Sequence, residues 1–179
     1  MKRNLFESFR KLYLDANNLS SYKNYYNALV QWVKDNSKGF GRKPQEFSDW
    51  NDLNLLFDLN LGIYLVDDPD IPPLASEKSR IYNIVNSPKM KIDGLLMIIR
   101  DTLWDMVTIR SNKNCVYCMS GDLRYIRVNF NVESKGDIIL ECTVCGNVMN
   151  IDGSKYERSI ENYSPASKEE VYKSIANNT

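Results

Sequence analysis

No histidine occurs among the 179 residues of this chain. That absence removes Ser-His-Asp triads, Cys-His dyads, histidine-bound metal nucleases and imidazole acid–base chemistry together. A hydrolase or nuclease built on this sequence would have only carboxylates, lysine or tyrosine to work with. The expectation is therefore a protein that is not an enzyme. Long apolar runs are missing as well. The most apolar stretch, 92–109, carries Asp93, Arg100, Asp101 and Asp105, and ionised groups at that density exclude a membrane span. The opening Met-Lys-Arg-Asn-Leu-Phe-Glu-Ser-Phe-Arg reaches charged side chains before any apolar run forms, so it does not read as a signal peptide. The expected location is the cytoplasm, where thiols stay reduced.

With 43% apolar residues the chain can bury a core of ordinary size, so disorder is not the default. Net charge is zero, but its distribution is uneven. Residues 1–47 hold nine Lys/Arg against four Asp/Glu, whereas 48–77 hold seven acids and no base. Sign alternates between segments, which bears on partners more than the total does.

Helical periodicity dominates the first two thirds. Asn4 with Glu7 resembles a capping box ahead of Leu5, Phe6, Phe9, Leu12 and Tyr13. Ser20 or Ser21 caps a second helix bearing Tyr22, Tyr25, Tyr26, Leu29, Val30 and Val33. Ser48 caps a third that runs to about Gly62. Ser76 caps a fourth that ends before Pro88. A fifth, 89–110, has apolar residues at spacings of three and four. Between the third and fourth, Asp67-Asp68-Pro69-Asp70-Ile71-Pro72-Pro73 must be extended, because its prolines deny helical donors and geometry.

The period then changes from helix to strand. Ile126, Val128, Phe130 and Val132 alternate with polar residues, predicting a strand over 123–132. Glu133 to Asp137 reads as a turn, and 138–141 returns as a second strand. A short third strand is expected near 148–151, and Ser167-x-x-Glu170 caps a terminal helix through about Ala176. The fold class expected is α+β: a helical bundle over 1–110, a β-hairpin module over 111–155, and a tail with a short helix over 156–179.

The only four cysteines fall as Cys115-x-x-Cys118 and Cys142-x-x-Cys145-Gly146, with 23 residues between the two pairs. Two such knuckles joined by a hairpin bring four thiolates to the corners of a tetrahedron, the arrangement Zn²⁺ accepts without strain. A redox dithiol pair or an iron–sulfur cluster would use the same residue type. The first lacks the βαβ context that usually carries it, and nothing nearby indicates electron transfer. The pattern resembles a zinc ribbon over about 112–152, a quarter of the chain. That resemblance implies one structural Zn²⁺ held by Cys115, Cys118, Cys142 and Cys145. Four thiolates saturate the ion and leave no position for water, so such a site braces structure and does not activate a nucleophile.

Many zinc ribbons bind nucleic acid, and Arg124, Tyr125 and Arg127 would form a small patch for it. The ribbon's five bases are matched by five acids, which dilutes a phosphate-binding face. The sequence favours a protein-binding module that meets a basic partner. Asp49, Asp52, Asp58, Asp67, Asp68 and Asp70 would supply the acidic face and Trp32 a contact anchor. The plainer alternative is that these acids are a solvated surface, facing the basic residues of 1–47. A chain of this kind resembles the immunity proteins of bacterial toxin systems, which implies a basic toxin nuclease domain as partner. A nucleic-acid-binding regulator is the alternative function.

Overall fold

The computed structural model describes residues 2–15, 21–40, 50–66 and 91–177. The chain is α+β and divides into two compact units. One holds the described residues of 2–59 and 91–106, the other 60–66 and 107–177. The expected fourth helix and the acidic connector at 67–73 lie outside the described residues.

The first unit is helical: α1 (Lys2–Leu14), α2 (Tyr22–Asn36) followed by a 3₁₀ turn (Ser37–Phe40), and α3 (Trp50–Leu56). Leu5, Phe9, Leu12 and Tyr13 form the buried stripe of α1, at the spacing the sequence predicts. Phe9 meets the Trp32 ring edge-on at 4.9 Å and Tyr13 at 5.2 Å, so aromatic packing ties α1 to α2. Tyr13 and Tyr25 share a hydrogen bond through their hydroxyls. Ser21 caps α2 by accepting from the Asn24 amide. The first helix starts two residues before the expected Asn4 cap. The third is shorter than expected. It stops at Leu56, and a separate turn, α4 (Leu61–Tyr64), is started in the second unit by the Asn60 side chain.

The helix α5 (Ile92–Val107) has Leu95, Leu96, Ile99, Leu103, Trp104 and Val107 buried. It ends before the expected Arg110 because that residue opens a strand. Tyr125 N–H donates to Ile109 carbonyl at 2.9 Å, which commits the chain to the sheet. Among the described residues, no helix is long and apolar enough to cross a membrane.

The second unit is built on an antiparallel sheet of β1 (Arg110–Asn114), β2 (Asp122–Val128), β3 (Asp137–Cys142), β4 (Val148–Met149) and β5 (Tyr163–Pro165). Strand order is β1-β2-β3-β4, with β5 also pairing β2. Because β3 takes one edge of β2, β1 and β5 share the other, β1 at Asp122–Arg124 and β5 at Ile126–Val128. The hairpin register runs from Leu123↔Cys142 to Val128↔Asp137. It places Leu123 and Tyr125 on the same face as Leu140 and Cys142. There they form a core with Met149, Ala166 and Val171, the last from the closing helix α6 (Lys168–Ala176).

The strand expected over 123–132 is corrected: it ends at Val128, four residues early. Asn129 adopts φ 54° and spends its side chain on Ser159, Tyr156 and Glu161, so Val132 lies fully exposed. The segment 156–177 supplies β5, the buried Tyr156 and α6, all belonging to the sheet unit.

Candidate metal centre

Cys115 follows β1 directly, and Cys142 is the last residue of β3. The hairpin register therefore brings both knuckles to one end of the sheet. The four Sγ atoms all lie within 4.8 Å of one another. Cys115 and Cys145 sulfurs are 3.7 Å apart, and those of Cys118 and Cys142 are 3.6 Å apart. A disulfide requires about 2.05 Å, so these are free thiols. The donor set and its convergence could hold a metal ion.

The two knuckles share one turn geometry. Met119 N–H donates to Cys115 carbonyl at 3.0 Å, and Gly146 N–H to Cys142 carbonyl at 3.1 Å. Both donors sit in the left-handed region, at φ 58° and 70°. Glycine adopts that region readily, whereas methionine is strained in it. Thr143 N–H reaches Asp122 carbonyl at 3.0 Å and locks the second knuckle to the base of the first.

Amides and polar side chains point at the sulfurs. Val144 and Cys145 N–H both donate to Cys142 Sγ at 3.4 Å, and Asn147 Nδ2 donates to Cys145 Sγ at 3.2 Å. The amide and hydroxyl of Ser120 lower the Cys118 thiol to about 6. The Asn147 amide holds Cys145 below its ordinary value, while burial pushes Cys142 up to about 12. Hydrogen bonds of this kind stabilise thiolates and orient metal ligands.

Gly121 was not singled out by the sequence, yet the site depends on it. A Cβ there would stand 2.3 Å from Cys142 Sγ and 3.1 Å from Val144 Cβ. Backbone without a side chain is what lets the knuckles close. Ser120 and Asn147 were missed too, because a short polar residue beside a cysteine carries no periodic signal.

The other candidate residues stand apart from this cluster. Trp32 does not project from α2. It is 6% exposed, packs on Phe9, and its Nε1–H donates to Ser8 Oγ at 3.0 Å. An indole between Val30 and Val33 follows the apolar stripe into the core. Asp52 faces Arg100 at 3.7 Å, and the exposed Asp58 carboxylate lies 3.5 Å from Lys34. Asp49, Asp67, Asp68 and Asp70 lie outside the described residues. Arg124 pairs with its cross-strand neighbour Glu141 at 2.8 Å. Arg127 pairs with Glu170 at 3.1 Å and lies over the Phe130 ring, and Tyr125 is buried. Compared with protein-family models, curated proteins and solved structures, the chain matches none.

Proposed function

We propose that this chain is a non-enzymatic, cytoplasmic protein-binding module whose sheet unit is closed by one structural Zn²⁺ and whose partner is a basic protein. The observation that carries the zinc reading is the convergence of four sulfurs, with no other donor type among the described residues. A tetrahedron with metal–sulfur bonds of about 2.3 Å has edges of about 3.8 Å, and the Sγ–Sγ separations of 3.6 and 3.7 Å are close to that. Tetrahedral all-sulfur coordination favours Zn²⁺ over magnesium, calcium or square-planar copper. Cys115, Cys118, Cys142 and Cys145 would hold it, and its chemistry there is to bind four thiolates and exclude a fifth ligand.

Support for binding over catalysis comes from the same closure, since a saturated ion offers neither water nor substrate a place. A nucleic-acid role has less support. Arg124 and Arg127 are occupied by Glu141 and Glu170, so phosphate contact would have to displace half-buried ion pairs.

The test is metal analysis of reduced protein together with cobalt substitution. One zinc per chain and a cobalt spectrum of tetrahedral thiolate type are expected. Zinc well below one per chain, or a bound ion with an exchangeable water, would overturn the reading.

A further inference from the structure

The tips of both knuckles are exposed and apolar. Val116 is 60% exposed, Tyr117 50%, Met119 78% and Val144 65%. Each lies within two residues of a cysteine whose sulfur belongs to the cluster, so all four are carried on the two knuckles that meet there. Val144 closes over Gly121, which brings the second tip onto the first. Isolated apolar side chains on a surface need no explanation, but four on two knuckles that meet do.

Charge adds a second, independent observation. Residues 114–121 and 142–151 contain no Lys, Arg, Asp or Glu, in a chain that is 26% charged. Of the nearest ionised neighbours, Lys113 donates to Ile151 carbonyl at 2.8 Å, and Arg110 pairs with Asp122 at 3.0 Å. On the zinc reading above, four thiolates and one divalent ion leave a centre of formal charge 2−. Cys145 is exposed, so part of that charge reaches solvent.

We propose that Val116, Tyr117, Met119 and Val144, on the two knuckles that meet at the exposed Cys145, form a docking surface for a protein segment that presents apolar side chains beside an arginine or lysine. The apolar tips supply desolvated contact area, with tyrosine and methionine suited to adaptable packing. The partner's cation would donate a charge-assisted hydrogen bond toward the thiolate centre. The sign of the charge decides between classes of partner. Nucleic acid and anionic lipid would both bring negative charge to a negative centre with no local Lys or Arg in the tips to receive it.

The experiment pans a displayed library of random short peptides against the zinc-loaded full chain and against a double variant, Val116→Ser with Val144→Ser. Zinc content and unfolding temperature of both proteins are measured alongside. Expected is enrichment of peptides combining Leu, Ile or Phe with Arg or Lys, reduced about tenfold on the variant. Amide shifts on adding an enriched peptide to the unsubstituted protein should fall on 114–121 and 142–147, a readout that survives even if the variant folds poorly. Enrichment of acidic peptides, enrichment equal on both proteins, or shifts elsewhere would overturn the inference. So would tip-dependent binding of a single-stranded oligonucleotide or of phosphatidylserine-containing vesicles. Loss of zinc from the unsubstituted protein would instead bring down the reading beneath it, which separates the two failures.

Discussion

Replacing Gly121 with alanine would force a methyl group into the space occupied by Cys142 Sγ. The overlap should cost about 2–3 kcal/mol and weaken metal binding, seen as a lower denaturant midpoint and faster zinc loss to a chelating dye. Gly146→Ala is the control, because its Cβ would meet nothing within 4 Å and only the positive φ is penalised, at about 1 kcal/mol. Met119→Gly should run the other way and stabilise by about 0.5 kcal/mol, since it relieves the left-handed methionine. Thr102 is a second residue out of balance. It is 2% exposed, and its hydroxyl has no partner among the described residues. Thr102→Val should therefore gain about 1 kcal/mol and raise the melting temperature by about 2–4 °C. Neither Gly121 nor Thr102 could be read from the sequence. Each matters through what stands beside it in space, and one chain of letters does not show that. The cysteines were legible because four thiolates at that spacing have few other uses.

At the scale of elements, legibility followed periodicity and capping chemistry. Ser167 accepts from Glu170 N–H while the Glu170 carboxylate accepts from Ser167 N–H, so the terminal helix starts where the capping box predicts. Glu170 also holds Arg127, with both side chains less than a quarter exposed. Glu170→Ala should thus cost about 1.5–2 kcal/mol, more than the roughly 1 kcal/mol expected for a cap alone, as a lower unfolding midpoint. Elements without a period were missed. β1 reads Arg-Ser-Asn-Lys-Asn with no apolar residue, and it forms because β2 offers it an edge. β5 is three residues ending in proline, and it is set by pairing with Ile126–Val128. The strand β2 was read too long for the opposite reason. Alternation continued to Val132, but Gly136 must fit against Val128 carbonyl, where a Cβ would come within 2.3 Å, and that tight turn ends the ladder.

For the whole molecule, the zinc proposed above would make the ion and the sheet unit one thermodynamic object. A structural zinc contributes about 10–16 kcal/mol of apparent binding energy, while a domain holds only about 5–15 kcal/mol in all. Chelation is therefore expected to unfold 107–177. Hydrogen exchange should show lost protection at Leu123 and Leu140 and retained protection in α2 and α5, which belong to the other unit. The change from helix to strand was legible in the period of the apolar residues, but the strand that closes the sheet was not. The open edge of β2 beyond Arg124 is closed only by β5. A chain ended at residue 155, beyond the last of the four cysteines, would bare Ile126 to Val128 along that edge and remove Val171 from the core. Even fully loaded with metal, such a truncated protein should self-associate through the bared strand, visible as concentration-dependent light scattering that the intact chain does not show.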